Sequence, residues 1–433
     1  MIQSRWFRSG VGLASVLVAM PAWAAGAEPP QIFGIPVDFV LFGLTLLGVA
    51  LFHDKTLQVA LAGLAAITLY KLGFSEFKTG AGLTGLGLHL AHEWVTLANL
   101  FCLLMGFALL SRHFERSNLP EAMPAYLPGG TAGCFSLLVA VFVLSSFLDN
   151  IAAALIGGAM ARQIFKGQVH IGFLAAIVAA SNAGGSGSVV GDTTTTMMWI
   201  DGVNPASVFD AYVAATVALV VCGVPAAMQQ NALQPMSAKH GEDRVAVEWA
   251  RVAIVLVILV FAIVANVVAN LHFKALLDAL PVIGIAVWAA ILVTTPIRKP
   301  DWEILPETFK GTVFLLSLVT CASMMPVEKL PVASWETSLG LGFVSAVFDN
   351  IPLTALALRQ GGYDWGMLAY AVGFGGSMIW FGSSAGVAIS NMYPEAKSVG
   401  RWLHKGWHVT LAYVVGFAVM MLTLGFNPDA PHK

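Results

Sequence analysis

Two acidic positions lie inside otherwise apolar stretches of the chain, and each is followed by an asparagine. Asp149-Asn150 lies in SSFLDNIAAAL, and Asp349-Asn350 lies in SAVFDNIPLTA, two hundred positions later. An uncompensated carboxylate in apolar surroundings is costly, so such residues usually mark an ion or proton pathway. Asp and Asn also cap helix N-termini. The repeated pair therefore predicts either capping alone or capping combined with ion binding.

A third acid, Asp192, ends the polar stretch SNAGGSGSVVGD and is followed by four threonines. Because glycine runs weaken a helix, this stretch and its partner GFGGSMIWFGSSAGVAISN predict two helices that are broken in the middle. Carboxylate, amide and hydroxyl oxygens suit hard cations. The candidate ion-binding residues are Asp149, Asn150, Asn182, Asp192, Thr193, Thr194, Asp349, Asn350, Ser377, Ser383 and Ser384. The candidate Na+ ligands among them are Asp149, Asn150, Asp349 and Asn350.

The four core segments, 131–161, 171–200, 333–358 and 366–396, contain no arginine or lysine, and the first three of them carry these acids. A buried carboxylate without a basic partner can be neutralised by a proton or by a metal cation, so it can exchange one for the other. The chain has no phosphate-binding loop and no nucleophile beside a base. The sequence therefore predicts a protein that is not an enzyme, has no catalytic residue or cofactor, and uses Na+ and H+ as coupling ions.

The amino-acid composition indicates a membrane protein. Of its 433 residues, 58% are hydrophobic and 11% are charged, against roughly 25% charged residues in soluble proteins. Runs of about 20 apolar residues recur, each long enough to cross a bilayer. The predicted fold class is an all-α polytopic membrane protein in contact with lipid. A net charge of −2 and the absence of a basic tail argue against a nucleic-acid partner, and four scattered cysteines match neither a zinc site nor a disulfide framework.

Apolar segments are predicted at 33–52, 56–73, 95–111, 131–161, 170–200, 207–226, 250–271, 275–296, 308–325, 333–358, 366–393 and 407–425. The 131–161 stretch is too long for one crossing and too short for two, so it predicts a re-entrant hairpin with the Asp-Asn pair at its tip. Non-helical backbone at that depth is tolerated where protein buries it or where it lines a wet cavity.

The same elements recur in the same order, which predicts two repeats. The predicted boundaries are an N-terminal signal peptide or anchor at 1–30, repeat 1 at 31–226, a cytoplasmic linker at 227–249 and repeat 2 at 250–426. Each repeat would have about five transmembrane spans plus a re-entrant hairpin. Most Lys and Arg residues fall in loops on one side if the repeats are inverted. Inverted repeats with broken helices at the midplane are typical of secondary transporters.

The N-terminal region has its own signature. Arg5 and Arg8 precede an apolar run and a small-residue stretch, AWAAGAEPP, as in a cleaved signal peptide; an uncleaved first helix is the alternative. Cleavage would leave the mature N-terminus in the periplasm of a bacterial inner membrane protein. The motif HLAHEW (89–94) does not have the spacing of a zinc site and is interpreted as packing at the membrane boundary.

FLDNIAAAL, FDNIPLTAL and SNAGGSGSVVGDTTTTMMWI resemble the ion transporter superfamily, in particular bacterial Na+/H+ antiporters related to arsenite permeases and the putative citrate transporter group. Dicarboxylate carriers in the superfamily have Ser-Asn-Thr at each hairpin tip. This chain has Asp149 and Asp349 in place of Ser, and Ile151 and Ile351 in place of Thr, which favours a cation. The resemblance further implies a homodimer that works by an elevator-like motion.

Three hypotheses follow. The first is a Na+(Li+)/H+ antiporter that uses the three intramembrane aspartates. The second is a Na+- or H+-coupled symporter of citrate or a similar carboxylate, attracted by helix N-termini at the hairpin tips. The third is a membrane scaffold or sensor on a transporter fold.

Overall fold

The computed structural model describes residues 30–52, 55–236 and 245–429. Helices form nearly all of its regular structure, and the strands β1 (Gln31–Ile32) and β2 (Ile35–Pro36) pair as a short antiparallel hairpin before the first helix. The predicted signal peptide or anchor falls almost entirely on residues outside this description. So does the middle of the predicted linker, residues 237–244.

The helices of the first half are α1 (Val37–Leu51), α2 (Thr56–Phe74), α3 (Gly82–Glu115), α4 (Leu119–Ala122), α5 (Gly130–Ser145), α6 (Asn150–Ile164), α7 (Ile171–Ser186), α8 (Thr193–Ile200), α9 (Pro205–Phe209) and α10 (Ala211–Leu233). Those of the second half are α11 (Trp249–His272), α12 (Lys274–Ala279), α13 (Val282–Thr294), α14 (Leu305–Ser323), α15 (Trp335–Ser345), α16 (Asn350–Gln360), α17 (Trp365–Gly375), α18 (Ser384–Met392), α19 (Val399–Lys405) and α20 (Trp407–Leu424). Short 3₁₀ turns lie at Met123–Tyr126, Trp302–Ile304, Val327–Lys329 and Pro394–Ala396.

Several helices have the length and composition of membrane spans. Within the described ranges, six helical segments meet both criteria: Thr56–Phe74, Gly82–Glu115, Pro205–Leu233, Trp249–Asn266, Trp302–Ser323 and Trp407–Leu424. Four shorter apolar helices, α1, α5, α7 and α13, accompany them. The prediction of an all-α polytopic membrane protein is confirmed.

Helix α3 is much longer than the predicted segment 95–111, because it begins at Gly82 and includes HLAHEW. The polar residues of that motif ended the apolar run in the sequence. In the fold, the His89 ring lies 3.0 Å from the Ser323 hydroxyl of α14, and the buried Glu93 carboxylate forms an ion pair with Arg359 at the end of α16. Long-range partners thus allow polar residues inside a long helix.

Two other helix boundaries differ from the apolar segments. Helix α10 continues from the predicted segment 207–226 to Leu233, within the first part of the predicted linker. The segment 275–296 is divided between α12 and α13 at Pro281, whose ring removes a backbone donor and favours a helix start.

Both hairpins and both helix breaks occur at the polar residues that predicted them. A turn at 146–149 separates α5 from α6, and a turn at 346–349 separates α15 from α16. The breaks at 187–192 and 376–383 separate α7 from α8 and α17 from α18. These turns and breaks could be predicted from the sequence because glycine and polar residues interrupt the apolar runs locally.

Each hairpin is joined to the neighbouring broken helix in the same way. The Ser145 hydroxyl donates to the carbonyl of Ser181 at 2.5 Å, and the Ser345 hydroxyl donates to the carbonyl of Val372 at 2.7 Å. A serine four residues before each Asp-Asn pair therefore anchors the turn. The two halves share this local arrangement, while their inverted orientation in a membrane remains a prediction.

The helices pack as two groups. The core group contains the hairpins, the broken helices, α10 and α20, with α10 against α5, α7 and α20. The outer group contains α1–α3 and α11–α14, in which α14 packs on α2 and α3. Helices α1 and α2 are joined by a buried ion pair, since the Lys71 ammonium lies 3.1 Å from the Asp38 carboxylate. Helix α14 also packs against α16 and thus links the outer group to the second hairpin.

Candidate functional site

The aspartates at the two hairpin tips cap the helices that follow them. Asp149 Oδ1 accepts a hydrogen bond from the backbone N–H of Ile151 at 2.9 Å, and Asp349 Oδ1 accepts one from Ile351 at 3.0 Å. The backbone angles agree closely, with φ/ψ of −53°/139° and −53°/140°. Capping accounts for one oxygen of each carboxylate. The other oxygen of Asp349 accepts a hydrogen bond from the Ser384 hydroxyl at 3.3 Å.

Asp192 is the point at which the two hairpins meet. Its Oδ1 accepts the backbone N–H of Thr194 at 3.0 Å, which caps α8. Its Oδ2 accepts the side-chain amides of both Asn150 and Asn350, each at 3.4 Å. The residue is 3% exposed. One carboxylate oxygen therefore joins the tips that lie two hundred positions apart in the sequence.

Asn182 connects the first broken helix to the second. Its Oδ1 accepts the amide of Asn150 at 3.0 Å, and its Nδ2 donates to the hydroxyls of Ser377 and Ser383 at 2.9 Å and 3.1 Å. The side chain is fully buried. Because its oxygen is paired with the first hairpin and its nitrogen with the second broken helix, Asn182 joins the two halves.

The four threonines have different positions. Thr193 lines a cavity, and the buried Thr194 gives its backbone amide to Asp192. The hydroxyls of Thr195 and Thr196 donate to the carbonyls of Ser188 and Val189 at 2.6 Å and 2.9 Å. The second pair thus stabilises the backbone of the helix break.

A large cavity of about 580 Å³ reaches the hairpin tips. Its inner end is lined by carboxylate, amide and hydroxyl side chains: Asp149, Asn150, Asp192, Thr193, Asn350 and Ser384. It extends to Arg112 and Glu115 at the end of α3 and to Glu307 at the start of α14.

Asp349 lines a different, small cavity of about 180 Å³, which runs beside the end of α1 and the start of α2 at Thr56. The two aspartates of the hairpin tips therefore do not share one cavity, although their asparagine neighbours meet at Asp192.

The arginine at the mouth of the large cavity is neutralised. Arg112 forms ion pairs with Glu115 at 2.7 Å and with Asp301 at 3.1 Å, and Arg116 shares the Asp301 carboxylate at 2.5 Å. The hydrogen bond from Arg112 lowers the pKa of the Asp301 carboxyl, which lies in the loop before α14. Neither the mouth nor the inner end of the cavity therefore carries an unpaired positive charge from its lining residues.

Sequence reasoning missed Ser145 and Ser345, which anchor the hairpin turns. The signal was present, since both serines precede their Asp-Asn pair by the same spacing. It also missed the mouth residues on α3 and α14, which only long-range packing brings to the cavity. Among the described residues, no group of three or more His, Cys, Asp or Glu side chains is placed to hold a metal ion.

Comparison with known proteins finds transporters. No protein-family model matches the chain. It is 27% identical over 294 residues to "Sodium/proton antiporter 1" of Arabidopsis thaliana, a match that covers 58% of this chain and 49% of that protein. The match thus spans about half the length of this plant relative.

Two bacterial relatives match over more of their length. The chain is 25% identical to "Na(+)/H(+) antiporter NhaD" of Vibrio parahaemolyticus, with 69% of this chain and 84% of that protein covered. It is 25% identical to "Na(+)/H(+) antiporter NhaD" of Alkalimonas amylolytica, with 97% of each covered. The chain is similar to sodium/proton antiporters.

These relatives are transporters and not enzymes, in agreement with the sequence prediction. Their names do not mention arsenite or citrate, and the grouping with arsenite permeases and citrate transporters stays a prediction.

Proposed function

We propose that this protein is a secondary active transporter that exchanges Na+ or Li+ for H+ across a bacterial inner membrane, with its N-terminus in the periplasm. The observation that carries this proposal is the convergence of Asn150 and Asn350 on one oxygen of Asp192 at the inner end of the large cavity. The similarity to sodium/proton antiporters supports it.

Exchange follows from the chemistry of buried carboxylates. A bare negative charge in a membrane is costly, so Asp149, Asp192 and Asp349 are stabilised by either a proton or a cation. An asparagine side chain offers a carbonyl oxygen in addition to its donating amide, so Asn150 and Asn350 can add ligands for Na+. Because these carboxylates are neutralised by one ion or the other, the release of one accompanies the binding of the other.

The aspartate caps make the helix N-termini at the centre more favourable for a cation than for an anion. A helix N-terminus carries a partial positive charge and attracts anions. Here three of the four described helices that begin at the centre, α6, α8 and α16, begin after an aspartate, and α18 begins after Ser383. When these aspartates are ionised, their full negative charge at three of these ends outweighs the partial positive charge, which disfavours a carboxylate substrate such as citrate.

The test is transport by the purified protein in proteoliposomes loaded with a pH-sensitive dye. Addition of Na+ or Li+ outside should release protons from the lumen, and K+ or choline should not. The control is Asp192→Asn, which keeps the size of the side chain but replaces the carboxylate with a neutral amide. Absence of Na+- and Li+-dependent proton flux from the wild type at neutral and alkaline pH would refute the proposal.

A further inference from the structure

The large cavity occupies one end of the space between the outer group and the core group. Along α3 its lining extends from Leu100 to Glu115, along α14 it extends as far as Leu315, and on α16 it includes Asn350 and Ile351 in the first turn. All three helices continue beyond these residues, away from the mouth of the cavity. Two of them belong to the outer group, and α16 belongs to the core group.

Apolar packing fills the space between the two groups beyond the cavity. Helix α14 packs on α16, and both helices bury side chains along this stretch: Leu318 and Ala322 of α14, and Leu353 and Ala357 of α16. None of these four side chains lines the large cavity. The hairpin tips are therefore accessible along the large cavity, whereas packed apolar side chains separate them from the other end of α3.

An ion pair joins the two groups at this closed end. The Glu93 carboxylate of α3 pairs with the Arg359 guanidinium at the end of α16, and the two side chains are 3% and 25% exposed. At 1.5 Å per residue, about 33 Å of helix α3 separates Glu93 from Glu115 at the cavity mouth. The ion pair and the mouth therefore lie at opposite ends of the contact between the groups.

The neighbouring polar contacts lie within the outer group. Helices α1 and α2 share a buried ion pair, and the His89 ring of α3 lies 3.0 Å from the Ser323 hydroxyl of α14. Among the ion pairs of the described residues, the pair between Glu93 and Arg359 is the one that joins a helix of the outer group to a helix of the core group. Its place between the groups distinguishes it from a contact that only stabilises one of them.

We propose that the Glu93–Arg359 ion pair is a latch, which holds the two groups together on the side opposite the large cavity and opens in each transport cycle. This inference rests on the proposed antiport, because an exchanger presents its ion site to each side of the membrane in turn. The large cavity lies between the two groups. Access from the other side therefore requires the groups to separate where the apolar packing and the ion pair now join them.

Burial of the ion pair gives the latch its strength. Water screens the attraction between these two charges less than it screens an exposed pair, because Glu93 is almost fully enclosed by protein. The attraction favours the closed arrangement, and a bound ion shifts the equilibrium only if it binds the open arrangement more tightly. Loss of either charge therefore weakens the closure on this side.

A reversible cross-link tests whether the two groups separate at this point. Glu93→Cys and Arg359→Cys are combined in a full-length protein whose four native cysteines are replaced. A bis-methanethiosulfonate linker then joins them, because positions that meet through two long side chains exceed the reach of a disulfide. In proteoliposomes, Na+-driven proton flux should fall in proportion to the cross-linked fraction and should recover when the linker is reduced.

The combination of His89→Cys with Ser323→Cys is the matched control. His89 lies about one turn from Glu93 on the same helix, and its contact with Ser323 stays within the outer group. The same linker there joins helices that do not separate in the proposed cycle, so proton flux should be unchanged. Only variants whose size-exclusion profile matches that of the wild type are compared.

The accessibility of a buried position measures the closure directly. Leu353 of α16 is 5% exposed, so Leu353→Cys should react slowly with an impermeant maleimide added on the side from which Lys78→Cys reacts. Addition of Arg359→Gln removes one charge of the latch and should raise the labelling rate severalfold. Arg359→Lys keeps the charge and should raise it less.

Each outcome decides one proposal. The latch is overturned if the cross-linked pair at positions 93 and 359 transports as fast as the reduced protein, or if the cross-linked control loses as much flux. It is also overturned if Arg359→Gln leaves the labelling of Leu353→Cys unchanged. A wild type without Na+- or Li+-driven proton flux overturns the antiport, whereas the labelling of Leu353→Cys still decides whether the ion pair closes this side.

Discussion

At the scale of single residues, three aspartates have a capping role and a charge that could bind an ion. Asp149, Asp192 and Asp349 each accept a backbone N–H at the start of a helix. Capping needs an acceptor oxygen but no net charge, and Asn caps a helix about as well as Asp does. Ion exchange needs the carboxylate itself. Substitution by Asn therefore separates the two roles.

We expect Asp149→Asn to be as stable as the wild type. Its Na+-driven proton flux should be lower than that of the wild type by at least about tenfold. Asp149→Ala should lose the flux and also about 1 kcal/mol of stability, because alanine cannot cap α6. Dye-based flux and thermal unfolding of the purified variants measure the two effects. Full transport by Asp149→Asn would mean that this aspartate only caps its helix.

At the scale of elements, two glycines allow the helix breaks to contact the hairpin turns. A Cβ on Gly191 would overlap the carbonyl oxygen of Ser145, and a Cβ on Gly382 would overlap that of Ala346. A similar close approach, shifted by one residue along the hairpin, thus occurs in both halves. Because the neighbouring atom is a backbone oxygen in each case, neither turn can yield without moving the Asp-Asn pair that follows it.

Gly191→Ala and Gly382→Ala should therefore reduce both thermal stability and transport. Gly340→Ala is the matched control, since Gly340 lies inside helix α15 with open space around it. Alanine there should be neutral or stabilising by up to about 1 kcal/mol. Melting temperatures of the three purified variants measure the difference. Equal melting temperatures for all three would contradict the close packing of turn and break.

At the scale of the whole molecule, each cavity is lined in part by residues that successive membrane spans would place on the same side. The small cavity reaches Thr56 at the turn between α1 and α2, and the large cavity reaches Glu307 near the end of α3. Successive spans α1, α2 and α3 would bring the end of α1 and the end of α3 to one side of a membrane. The distribution of Lys and Arg predicts that this side is the cytoplasm.

Cysteine labelling tests this orientation. Thr56→Cys and Glu307→Cys should react with an impermeant maleimide in inside-out vesicles, and Lys78→Cys, between α2 and α3, should react in right-side-out cells. These variants are made in a protein whose four native cysteines have been replaced. Of these, Cys134, Cys222 and Cys321 are buried and Cys102 is half-buried. Labelling of Thr56→Cys and Glu307→Cys from opposite sides would refute a common opening.

The sequence by itself determined the membrane class, the hairpin turns before Asn150 and Asn350, and the breaks before Thr193 and Ser384. These features are local, because a polar or glycine-rich interruption ends an apolar helix wherever the rest of the chain lies. Even the residues of the candidate site were visible as polar groups in apolar surroundings.

Only the tertiary structure decided how those residues combine. The meeting of Asn350 with Asp192 joins positions 158 residues apart, and the partners of Glu93 and His89 that permit the long helix α3 lie in the other half of the chain. The placement of Asp149 and Asp349 in the linings of different cavities depends on which helices surround each hairpin tip. Such contacts arise from the packing of whole helices, and no local pattern of residues specifies them.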